Sequence, residues 1–102
     1  MSIDGQYEII SRFFVFGRHG GRVIIRTDGN DLSGTAYAIG KESPLLNGML
    51  NGNEFSFIME MDIPLVKKKI KMNVKGYFGE GSINGTTITP FGKSTFEGKR
   101  II

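Results

Sequence analysis

The sequence holds one histidine, ten carboxylates and no cysteine. Without cysteine there is no thiol nucleophile, no disulfide scaffold and no Cys-based zinc site. One histidine, His19, excludes a His-cluster metal site and leaves little for a nucleophile–His–acid set. Asp28 and Asp31 lie in one turn, and the other carboxylates alternate outward or cap loops. No acid pair is expected to converge inside for general acid–base work. The segment Gly17-Arg18-His19-Gly20-Gly21 has the glycines and cations of a phosphate cradle. No helix follows to add its dipole, so the segment reads as a hairpin tip. These residues do not make an enzyme, and they require no metal or cofactor.

Three further patterns bear on binding. Phe55, Phe57, Met59 and Met61 alternate with polar residues, and Ile70, Met72 and Val74 alternate with lysines. Together they form one apolar face that lines a pocket or fills a core. Lys67-Lys68-Lys69-Ile70-Lys71 and Lys75 put Lys67, Lys69, Lys71 and Lys75 on one outer strand face. Such a face keeps a wall soluble or binds phosphates. Net charge is only +3, so nucleic acid is the least favoured partner. Arg12-Phe13-Phe14-Val15-Phe16-Gly17 carries more aromatics than one core face needs. Phe14 and Phe16 then suit the core or self-association better than base stacking.

The elements that position these residues are strands. The chain of 102 residues has 15 Gly, and Ile, Val and Thr far outnumber Ala and Leu. That balance favours strands over helices. Asp28-Gly29, Asn51-Gly52, Gly79-Glu80-Gly81 and Phe91-Gly92 punctuate the chain as hairpin turns do. Strands are expected at residues 5–16, 21–28, 32–40, 45–51, 54–62, 67–78, 82–89 and 94–100, with Pro44 and Pro64 at boundaries. Gly34, Gly48, Gly76, Gly85 and Gly98 fall inside those strands. Repeated interior glycines fit the sharp coiling of a small closed barrel, and closure removes the edges of an open sheet. The expected fold is all-β: one antiparallel up-and-down barrel of about eight strands, residues 1–102 as a single domain. The first residues lack the basic start and apolar run of a secretory signal, and no stretch reaches the ~20 apolar residues of a membrane helix. A soluble, cytoplasmic protein without a membrane partner is expected.

Gly5-Gln6-Tyr7 opens the first strand and Gly98-Lys99-Arg100 closes the last. This resembles the calycin pattern of lipocalins, fatty-acid-binding proteins and avidins. Asp28 to Thr35 resembles the Asp-Gly-x-Leu-x-Gly-Thr turn of the avidin group. Over nearly its full length the chain is similar to small bacterial lipocalin-like domains of unassigned function. The resemblance implies a lipocalin/avidin-like barrel in which a late basic residue, Arg100, packs across Tyr7 to close one end. Tyr7 stands where calycins carry Trp, and the chain has no Trp, so the biotin cage of avidins is absent. Neither the lipocalin helix nor the helix pair over fatty-acid-binding barrels is expected.

The reading is non-enzymatic binding of a small apolar or amphipathic ligand inside the barrel, with Tyr37, Met59, Met61, Met72 and Tyr77 as its wall. An alternative is an interaction module with a filled core, self-associating or meeting a partner through Phe14, Phe16 and the outer strand faces. A cavity over roughly 150–300 Å³, at or below the low end of ligand sites, favours the first, and a packed interior would sink it.

Overall fold

The lysine-rich run shows how the strands arise. Ile70, Met72, Val74 and Gly76 are buried, while Lys69, Lys71, Asn73, Lys75 and Tyr77 between them are exposed. This is the two-residue period of a strand with one face on the core. The computed structural model describes residues 3–13, 17–38, 40–62, 69–90 and 92–102, with residues 13, 17–19, 61 and 62 described by their backbone alone. Among them run nine strands: β1 (Gly5–Phe13), β2 (Gly17–Asp28), β3 (Asp31–Ala38), β4 (Lys41–Pro44), β5 (Leu46–Asn51), β6 (Glu54–Asp62), β7 (Lys69–Gly79), β8 (Ser82–Thr89) and β9 (Gly92–Arg100).

All neighbours are antiparallel, and the sheet closes on itself because β2 pairs with both β1 and β3. β4 and β5 together occupy one place in the wall. β4 pairs with the second half of β3, and β5 pairs with its start and with β6. The nine strands thus make an eight-position, up-and-down closed barrel.

The larger departures from the sequence expectation are at two places, beside shifts of one or two residues such as the start of β9 at Gly92. Gly17–Gly21 is no hairpin tip: it is the start of β2, with Gly20 and Gly21 opposite Ile10 and Ile9. The glycines were turn signals by composition, yet here they face bulky β-branched partners across a ladder. The strand expected at 45–51 begins at Leu46, and β4 precedes it. Lys41-Glu42-Ser43-Pro44 has no apolar side chain to mark a strand, so its pairing with β3 was invisible to a hydrophobic pattern. Between the two, Leu45 is buried, and the β5–β6 register shifts around Asn47, whose φ is +51°.

This break leaves a seam. Beyond Leu46 and Ile58, the described residues form no main-chain ladder between β4 and β6. The Glu60 amide instead donates to the buried Ser43 hydroxyl at 3.1 Å.

The lower interior is filled. Phe55 stacks on Phe57 at 6.1 Å and meets Phe96 at 6.4 Å, with Ile3, Ile25, Leu32 and Ile83 also in the core. Close coiling makes this possible. Gly85 lies directly opposite Gly76, and a Cβ on Gly85 would run into the Lys75 carbonyl oxygen and come within 2.6 Å of Gly76 Cα. Only glycine permits that approach.

Arg100 lies opposite Tyr7 in the β1–β9 ladder. Its guanidinium sits 5.4 Å from the Tyr7 ring centre and donates from Nη2 to the Tyr7 hydroxyl at 2.9 Å. Tyr7, 1% exposed, donates in turn to the Ile3 carbonyl at 2.7 Å. Beyond them the ladder continues through Gln6, Ile101 and Ile102.

Candidate functional site

At one level of the barrel, bulky side chains on one wall face small ones on the other. Met59 lies opposite Met72, and Phe57 opposite Val74, along β6 and β7. The facing β2–β3 wall has small side chains: Gly21 lies opposite Ala38, and Val23 opposite Ala36. Large residues against small ones leave an apolar cavity of about 80 Å³, bordered by all of these. Ser11 from β1 and Thr87 from β8 also border it. One rung further, Ser94 faces Thr87 across the β8–β9 ladder and is itself buried.

The cavity is smaller than the roughly 150–300 Å³ set above as the mark of a ligand site, and far below the roughly 300–1,000 Å³ of drug-sized sites. The Phe55, Phe57 and Phe96 rings, with Ile25, Leu32 and Ile83, fill much of the remaining interior.

The predicted wall residues divide. Met72 is buried and Met59 partly buried, and both border the cavity. The Met61 side chain lies outside the described residues. Tyr77 is a correction: it shares the outer face with the lysines of β7 and is 52% exposed. Tyr37 does border the cavity although it lies between the inward Ala36 and Ala38: it is partly buried, and Arg22, its cross-strand partner, sits over its ring at 5.1 Å. The strand period sends Tyr77 out. The residues the sequence reading missed are Ser11, Thr87 and Ser94. Counting back by two from Phe96 reaches Ser94, so alternation carried the signal; their polarity hid it.

The surface candidates fare differently. Lys71 lies opposite Glu60 and Lys69 opposite Asp62. The described part of the basic run is therefore interleaved with carboxylates, which weakens a phosphate-binding face. Lys67, Lys68, Phe14 and Phe16 lie outside the described residues, as do the side chains of Arg18 and His19. No group of three or more metal-ligating side chains occurs among the described residues. No helix there is long and apolar enough to cross a membrane.

No family model matches the sequence, and no curated protein matches it. Solved structures match along almost the whole chain. Apo Caenorhabditis elegans lipid binding protein 8 aligns with a TM-score of 0.61 at 10% identity, covering 98% of both chains. The shared fold is a lipocalin-like, up-and-down closed barrel. The REP1-NXSQ fatty acid transporter shares it, with a TM-score of 0.58 at 11% identity, over 98% of this chain and 96% of that one. In this barrel the Tyr7–Arg100 pair and the cavity lie at different levels, and Arg100 does not border the cavity.

Proposed function

We propose that the protein is a non-enzymatic binder of a small apolar or amphipathic ligand, held inside the barrel against Met59 and Met72. One observation carries this reading: a closed barrel that keeps an apolar cavity between a methionine wall and a glycine–alanine wall. Two structural neighbours, a lipid binding protein and a fatty acid transporter, support the ligand class. At about 80 Å³ the cavity is smaller than one of 150 Å³ that admits benzene. Its starting occupant is a short, slim hydrocarbon. Methionine, unbranched and flexible, lets such a wall give way to a longer one.

The test uses the methyl resonances of Met59 and Met72. Titration with n-pentane is expected to shift both saturably, with Kd near 1 mM for so few atoms. Ala36→Leu puts side-chain atoms into the space and is expected to weaken binding at least tenfold while leaving the melting temperature unchanged or higher. No saturable shift with any small apolar probe would overturn the reading.

A second reading has its own observation. Outside the barrel, over Gly76 and Gly85, lies a concavity of about 890 Å³ bordered by Ile10, Met49, Tyr77 and Ile88. Met49, Tyr77 and Ile88 are exposed there. An interaction module would use this face, and sedimentation of wild type against Tyr77→Ser/Ile88→Ser would reveal self-association through it.

A further inference from the structure

The outer concavity carries a charge pattern that binding inside the barrel leaves unused. Gly76 and Gly85 form an inward-facing rung, and the strand period sends the residues on either side of it outward. On one side a row crosses β6, β7, β8 and β9: Glu54, Tyr77, Asn84 and Glu97, each directly opposite the next. On the other side a row crosses β7, β8, β9 and β1: Lys75, Thr86, Thr95 and Arg12, again each opposite the next. All of these border the concavity, and the charged ones are exposed. The signs are segregated, with both carboxylates in the first row and cations in the second. Lys93, which borders the concavity one row beyond Thr95, adds to the cationic side.

Such a face attracts a surface that carries the same two rows in reverse order, and it sets one row against any partner of a single sign. A second copy of this chain is a surface of the right kind. A two-fold axis in the contact plane, along the Gly76–Gly85 rung, keeps each strand position and exchanges the two sides. The acidic row of each copy then lies over the basic row of the other, and every contact is made twice. Tyr77 of one copy comes over Lys75 of the other, a cation–π arrangement. Glu54 and Glu97 come within one strand spacing, about 4.8 Å, of Lys75 and Arg12 across the contact. Met49, Tyr77 and Ile88, exposed at the border of the concavity, are covered by the same contact. Within one copy, Arg12 and Glu97 stand 4.0 Å apart with both side chains 67% exposed, a pair too weak to hold them from new partners.

We infer that the outer concavity is a homodimer interface, occupied by a second copy of this chain docked acidic row over basic row. This rests on the interaction reading above, is independent of the apolar cavity, and names the partner.

The experiment is analytical ultracentrifugation of wild type, Glu54→Lys/Glu97→Lys, Lys75→Glu/Arg12→Glu and an equal mixture of the two variants. Wild type is expected to dimerise at about 0.1 mM or below. Each variant alone sets like charges against like, so its dimer is expected to weaken at least about a hundredfold. The mixture restores both row-over-row contacts and is expected to form a one-to-one dimer that is lost when both partners also carry Tyr77→Ser. Glu54→Gln/Glu97→Gln, which keeps the shape, carries the test if a reversal does not fold: it is expected to weaken the dimer about tenfold, and an unchanged Kd overturns the inference. Wild type that stays monomeric at about 0.5 mM overturns it. Wild-type dimers that Tyr77→Ser/Ile88→Ser disperses but neither reversal weakens overturn it and leave the interaction reading standing. Folded reversal variants that lose the dimer and do not pair on mixing overturn it as well.

Discussion

Gly85→Ala is expected to cost about 3–5 kcal/mol, among the largest effects of any single methyl group in the chain. The added Cβ meets the Lys75 carbonyl oxygen and Gly76 Cα, both of them main chain. A flexible side chain would swing away, but a backbone can yield only by pulling β7 from β8. That separation breaks the ladder on both sides of the Gly76–Gly85 rung. A domain of this length has roughly 5–15 kcal/mol in total, so much of the stability goes. The melting temperature is expected to fall by roughly 20 °C. Gly79→Ala is the control, since nothing lies within 4 Å of a Cβ there. A Gly85→Ala protein that melts with the Gly79→Ala control would show that the two strands do not approach as described.

The second large effect is at the base of the barrel. Tyr7→Phe removes only an oxygen, but that oxygen donates to the Ile3 carbonyl and accepts from Arg100 Nη2. The site is dry, with Tyr7 and Ile3 both 1% exposed. Water cannot replace the lost bonds cheaply, so the cost is expected to be about 2–3 kcal/mol in urea unfolding. Arg100→Met leaves the bond to Ile3 intact and is expected to cost less, about 1–2 kcal/mol, through the lost cation–π and hydrogen-bond contacts. The two residues share one network, so their effects should not add. Additivity within about 0.5 kcal/mol in the double variant would mean that Arg100 does not act through Tyr7.

Much of the barrel was legible in the sequence because its signals are local. Phe55, Phe57, Met72 and Val74 announce their face by alternation, and Asn51-Gly52 marks its own turn. Gly76 and Gly85 were readable as coiling points, although only the register puts one opposite the other. β4 was not legible, because a strand held by main-chain pairing to β3 needs no apolar side chain. Gly20 and Gly21 misled for the converse reason: the residues that favour turns also fit opposite large β-branched partners. At the candidate site the methionines were legible and the hydroxyls were not. Tyr77 shows the error involved, since the strand period puts it on the outer face with the lysines of β7.

The seam between β4 and β6 sets where the barrel comes apart. A ring of ladders has no loose end, so its first opening must cut the ring somewhere, and the cheapest cut crosses the fewest bonds. The long boundaries each cost a row of amide–carbonyl bonds in zipper order. At the seam the described link is one serine oxygen taking one amide, and beside it β5 meets β3 through two residue pairs, Asp31 with Met49 and Leu32 with Gly48. The Glu60 amide should therefore exchange its hydrogen for deuterium sooner than those deep in the β7–β8 ladder. Native-state excursions should unroll the sheet from this line, leaving β5 to β9 as the slower-exchanging half.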